Sequence, residues 1–162
     1  MTDQRPVEEG SALHERSTAF RLLHREHEEV DRLLGELVGG QGDPARARRM
    51  LDEALRRHMS VEETVFYPAL GRLEMLASFV DRLRAQHRVI REALDALGAV
   101  EPGDGRFAAA VRRLNDGFDA HVQEVESRAF AYAAEHLAGE LEALAVEMED
   151  RRECERGAYG VG

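Results

Sequence analysis

Residues 58–68 read HMSVEETVFYP. His58 and Glu62 stand four apart, between Leu55 and Val65. Side chains four apart share one face of a helix, so an imidazole and a carboxylate project from the same side as the neighbouring aliphatic groups. A carboxylate on an apolar stripe is costly unless it is paired or bound to a metal. The stretch therefore predicts a helix whose buried face carries a polar site.

The same pattern repeats outward along the chain. Steps of three and four residues give Phe20, Leu23, His27, Val30, Leu34, Leu37, then Leu51, Leu55, His58, Glu62, Val65, Ala69. They continue as Val80, Leu83, His87, Ile90, Leu94, Leu97 and Phe107, Val111, Leu114, Phe118, His121, Val125. Each set is one apolar seam, the spacing that buries a stripe of each helix in a bundle. No β-branched alternating runs appear, so the chain reads as all-α.

The breaks divide the seams. GGQGDP at 39–44 and EPGDG at 101–105 are loops, with Asp43 placed to cap a helix that begins at Pro44. Within 71–78, Gly71 ends one helix and Ser78, with Asp81 three residues later, caps the next. Helices are predicted near 17–38, 44–71, 78–98 and 105–137, and a fifth near 139–153 ahead of a frayed RGAYGVG tail. The expected fold is an up-down-up-down four-helix bundle with an additional C-terminal helix. Residues 1–16 read as an N-terminal extension, 17–137 as the bundle, and 138–162 as the C-terminal helix and flexible tail.

Composition narrows the function classes. The net charge is -10, which argues against nucleic acid and anionic membranes as partners. No run of about 18 apolar residues exists, so no membrane span is expected. The first residues, MTDQRPVEEG, lack a basic start and an apolar stretch, and the single cysteine, Cys154, makes no internal disulfide. The expectation is a cytoplasmic protein. No phosphate loop or thiolate cluster is present. The acid/base run EMEDRRECER at 147–156 reads as a solvated helix end.

Each of the four seams holds one histidine near the middle of its helix. In an alternating bundle such positions meet at one height, so His27, His58, His87 and His121 should converge inside the core. Four buried imidazoles without partners would cost several kcal/mol. With Glu62 beside them, a metal accounts for them better. Imidazole plus carboxylate, without thiolate, suits iron or manganese ahead of zinc. His27 to His58 and His87 to His121 span similar lengths, so two helical hairpins, each bringing two imidazoles, would form a cage with room for two metals.

These residues carry a resemblance to the hemerythrin-like, HHE cation-binding family over roughly residues 17–137. His58-Met-Ser-Val-Glu62-Glu63 followed by Phe66-Tyr67-Pro68 is similar to its H-x-x-x-E-E…F-P signature. His27 in REHEEVDRLL and His87 in AQHRVIREAL match its single-histidine positions. The resemblance implies two iron ions with oxo or hydroxo and carboxylate bridges, and O2, peroxide or nitric oxide as the small partner. It implies His27, His58, Glu62, His87, His121 and Glu126 as metal ligands.

Two departures stand out. The family's carboxylate four residues after the helix-four histidine is here Val125, and Glu126 is the substitute. One residue further on lies about 100° round a helix, so Glu126 needs a local π-bulge to reach the metals. Glu124 is the weaker candidate. The second departure is a missing histidine on helix three, where Leu83 and Arg91 flank His87 at four residues. His24 is a replacement candidate, read instead as a surface or outer residue. His14 and His136 lie too far along the chain to reach. On octahedral preference two irons offer about twelve positions, of which four histidines, two bridging carboxylates and an oxo bridge leave some open. An open site favours turnover over storage. The alternatives are a diiron oxidase or oxygenase on a small organic substrate, an iron or O2 sensor, and a metal-free bundle retaining relics of a site. Tyr67, about half a turn out of phase with His58, is expected to face away from the metals. Arg84, Arg88 and Arg91 read as a solvated face.

Overall fold

A computed structural model describes residues 15–159, and these are helical with no strand among them. Helix α1 is Thr18–Gly39 and α2 is Pro44–Val61. The second rod continues through a π-turn, Glu62–Phe66, into α3, Tyr67–Gly71. After a short 3-10 turn at Glu74–Leu76 comes α4, Ala77–Gly98. The fourth rod is α5, Phe107–Glu124, a second π-turn at Val125–Ala129, and α6, Phe130–His136. Helix α7, Leu141–Tyr159, is the fifth rod and runs six residues past the expected end. His14 and the last residues of the tail lie outside the described residues.

Local chemistry explains the ends. Asp43 accepts from the backbone N–H of Ala45 at 3.0 Å and of Arg46 at 3.3 Å, with Pro44 at the first helical position, where its missing N–H costs nothing. Gly40 closes α1 at φ 64°, a left-handed conformation that glycine adopts without steric penalty. The start of α4 differs from expectation. Leu76 precedes it without a side-chain cap, and Ser78 lies inside the helix, because the 3-10 turn already supplies the bend.

Helix α1 packs on α2 and α5, α4 packs on α5, and α3 meets α4, while α7 lies across α1 and α2. Two apolar clusters fill the interior. One gathers Phe20, Leu23, Val61, Phe66, Leu83, Val125, Phe130 and, from α7, Leu144 and Met148. The other gathers Val30, Leu34, Leu51, Leu55, Ile90, Leu94 and Phe118. Phe20 and Phe130 stack with centroids 4.5 Å apart. Each such fully buried ring stabilises the fold by roughly 1.5–3 kcal/mol. In each long rod the histidine falls near the point where one cluster gives way to the other. The fold thus holds one polar layer between two apolar plugs. Among the described residues no helix is long and apolar enough to cross a membrane.

Candidate metal centre

His27, His58, His87, His121 and Glu62 are all at most 1% exposed. Glu62 is the hub. Its Oε1 lies 3.8 Å from His27 Nε2 and 3.5 Å from His58 Nε2. Its Oε2 lies 3.0 Å from His87 Nε2 and 3.2 Å from His121 Nε2. One carboxylate oxygen therefore faces the pair from α1 and α2, and the other faces the pair from α4 and α5. His58 Nε2 and His121 Nε2 are 3.3 Å apart. One ligand atom from each of His27, His58, Glu62 and His121 fits within 4.8 Å of all the others.

Behind the ring nitrogens stands a second layer that the spacing did not reveal. His27 Nδ1 meets Glu126 Oε1 at 2.7 Å. His58 Nδ1 meets Glu26 Oε2 at 3.0 Å, and His87 Nδ1 meets Glu63 Oε1 at 2.7 Å. An ionised carboxylate only accepts, so each Nδ1 carries the proton and donates it outward. A ring that is neutral and keeps its proton there would aim its Nε2 lone pair at the layer's centre, the arrangement that metal-ligating histidines use. His121 differs, because its buried Nδ1 has no hydrogen-bond partner.

The expected ligand Glu126 is not brought to the inner face. A π-turn does begin at Val125, but Val125 stays buried in the apolar cluster while the Glu126 carboxylate sits at the outer nitrogens of His27 and His24. His24 Nδ1 is 2.8 Å from Glu126 Oε1, so His24 belongs to this outer layer. Glu124 faces outward to Arg82 at 3.2 Å and Arg128 at 3.0 Å. His136 lies beside Glu135 at 3.7 Å, away from the cluster.

Tyr67 contradicts its expected direction. Its hydroxyl donates to Glu62 Oε2 at 2.6 Å and lies 3.1 Å from His87 Nε2. The cause is the π-turn at Glu62–Phe66, whose extra residue sets the following helix back by about 100°. Arg91 also differs from a solvated charge, donating to Glu63 Oε2 at 2.7 Å behind His87. The run EMEDRRECER likewise does more than face solvent. Met148 is fully buried and Arg152 Nε donates to Glu26 Oε1 at 2.7 Å. Glu26 itself had a legible signal, since Leu22, Glu26, Val30 and Leu33 follow one helical stripe. Cys154 is exposed and free.

The electrostatics follow from this geometry. Burial alone would raise the Glu62 carboxyl, but His58 and His121 beside it hold it well below the usual carboxylate range. Burial opposes charge on His27, yet the hydrogen bond to Glu126 and the nearby Glu62 charge outweigh it and raise the imidazole to about 9. His121 is pushed down to about 4, by burial first, against the attraction of Glu62. Burial and the adjacent Glu62 charge push the Tyr67 phenol well above its ordinary value, so it keeps its proton at neutral pH.

The residues fit a metal on their own chemistry. His27 Nε2 and Glu62 Oε1 are buried, face one another beyond hydrogen-bond distance, and have no hydrogen-bond partner. Orphaned buried polar atoms are costly, and a cation between them satisfies both. The donor set is imidazole and carboxylate with no sulfur. A family model, the Hemerythrin HHE cation binding domain, matches residues 18–133. No curated protein and no solved structure matches the chain.

Proposed function

The chain belongs to the hemerythrin HHE cation-binding family, and we propose that its buried layer holds two iron ions and serves chemistry with O2, peroxide or nitric oxide. One observation carries this reading. The two oxygens of Glu62 face two different pairs of imidazoles, so a single carboxylate spans two positions. His27 and His58 would hold one ion with Oε1, and His87 and His121 the other with Oε2. The path we propose is up-down-up-down. It is supported by the start of α1 and the end of the second rod sharing one apolar cluster with the start of α4 and the end of the fourth rod.

When bound, a pair of irons supplies reversible ligand binding and one-electron redox steps that side chains lack. The chain supplies the rest. The carboxylates of Glu126, Glu26 and Glu63 fix the ring tautomers of His27, His58 and His87. Phe118 closes the layer on one side, its ring 5.9 Å from that of His27 and 6.0 Å from that of His121, and keeps bulk water out. Val125, where the family's carboxylate is expected, adds no charge and leaves that side of the layer with fewer donors.

A second reading, a diiron oxidase or peroxide-consuming enzyme, is favoured by Tyr67. A protonated phenol 2.6 Å from Glu62 Oε2 places a proton at the edge of the layer. The test of the main reading is anaerobic loading with ferrous iron, followed by iron per chain and the absorption spectrum before and after O2. Two irons per chain with near-ultraviolet charge-transfer bands support it. Bands that reverse on removing O2 favour a carrier or sensor, and irreversible oxidation favours the enzyme. A chain that takes up no iron sinks the reading.

A further inference from the structure

Three histidines of the layer have a carboxylate behind them, and among the described residues one of those carboxylates is held from beyond the matched family segment. Glu126 is shared by His24 and His27 within the bundle. Glu63 is held by Arg91 within the bundle. Glu26 is held by Arg152, on α7, 19 residues past the segment that ends at residue 133. Glu26 is 2% exposed, so its charge has little water to stabilise it. The other nearby guanidinium group, Arg57, has its Nε 4.0 Å from the same oxygen, beyond hydrogen-bond reach, and donates instead to Glu29 at 2.7 Å.

The structure assigns to α7 a role in the metal centre: Arg152 holds Glu26, Glu26 holds the Nδ1–H of His58, and the C-terminal helix thereby clamps the metal position between His27 and His58. This rests on the metal-centre reading above. Arg152 is a positioning residue, acting through Glu26 without touching the layer itself. The helix is docked for the task. Leu144, Ala145 and Met148 enter the apolar cluster. On the polar side Ser60, two residues after His58, donates to Glu155 at 2.7 Å and accepts from Arg151 Nε at 2.9 Å. Both contacts fix the turn of α2 that carries His58. The charge pair also matches in geometry, since Nε of Arg152 meets Oε1 while His58 takes Oε2, so each oxygen of Glu26 has its own donor. Among the described residues no side chain of α7 bonds to His87, His121 or Glu63, so the clamp acts on one position of the two.

The consequence is a metal centre with two unequal exits. Loss of Arg152 frees Glu26 to turn away, and His58 loses the partner that fixes its tautomer. Removing outer partners of metal-bound histidines typically costs 10–100-fold in metal affinity. In Arg152→Met we expect half of the bound iron to leave about tenfold faster than in wild type, with the other half unchanged.

The experiment uses the full chain loaded anaerobically with ferrous iron and challenged with a ferrous chelator. Wild type, R152M, R152K, E26Q and the exposed control E153Q are compared. Nitrogen NMR of the histidine rings of the metal-free proteins reports the His58 tautomer directly. Expected are a fast half-population in R152M and E26Q, no further acceleration in the double variant, partial recovery in R152K, and wild-type release in E153Q. The Nδ1–H tautomer of His58 should be lost in metal-free R152M. Melting temperatures separate this from unfolding, because a merely structural loss would speed both halves together. If wild type binds iron and R152M releases it with wild-type kinetics, the clamp is overturned and the metal centre stands. If wild type binds no iron, both fall, whatever the tautomer.

Discussion

The hydroxyl of Tyr67 donates to Glu62 Oε2 at 2.6 Å, although the two residues are five apart and a regular helix would turn them well away from each other. The π-turn between them makes the contact. Such single π-turns inside α-helices recur at functional sites, and here one brings a proton donor to the carboxylate that spans the two imidazole pairs.

Removing that hydroxyl isolates its role. Tyr67→Phe keeps the ring among its buried neighbours and deletes one hydrogen bond to a charged group. The metal-free protein should lose roughly 1.5–3 kcal/mol in urea denaturation. Iron content should stay at the wild-type value, while the course of oxidation by O2 or peroxide changes. Wild-type stability and wild-type oxidation together would show that the contact does nothing.

Glu62 is predicted to be indispensable for loading. Glu62→Gln keeps the shape but removes the charge that faces four imidazoles. Iron per chain, measured after gel filtration, should fall to well under half of wild type. His58→Ala should act in the same direction. Full loading in both variants would remove the layer from consideration as the metal site.

Val125→Glu tests the missing carboxylate. Val125 is fully buried, so the metal-free variant must bury a charge and should be destabilised by several kcal/mol. Iron should recover much of that loss and bind more tightly at the position between His87 and His121. A variant that is equally unstable with and without iron would mean that residue 125 does not face the layer.

The pH dependence has a definite sign. In the metal-free fold His27 titrates at about 9, above its ordinary value near 6.5. Its protonated form stabilises the folded protein fully below pH about 6.5, and that contribution is lost as pH rises through about 9. A metal needs the neutral ring, so loading at pH 7 should expel a proton, and apparent affinity should rise with pH up to about 9. Metal titrations at several pH values, with a pH indicator in weak buffer, check this. Flat affinity between pH 6 and 9 would contradict it.

Much of this was legible in the chain. The seam histidines and Glu62 announced themselves because a polar residue inside an apolar period is costly wherever it falls. Their convergence followed from their mid-helix positions. Glu26 gave a fainter sign, since a single glutamate on a wide apolar face also reads as an edge residue. Arg152 gave none, because an arginine in a charged run looks the same whether it meets water or a buried carboxylate far back in the sequence.

The sequence by itself determined the helices, the buried stripe of each, and the five residues that meet in one layer, because helical period and the cost of burying charge are local rules. Only the tertiary structure decided what stands behind that layer. The π-turn at Glu62–Phe66 shifts phase by one residue and turns Tyr67 in, while Glu126 stands at the outer nitrogens of His24 and His27. The docking of α7 carries Arg152 to Glu26 across 126 residues of chain. Both outcomes depend on how whole helices pack against one another, and no spacing within a single helix encodes that.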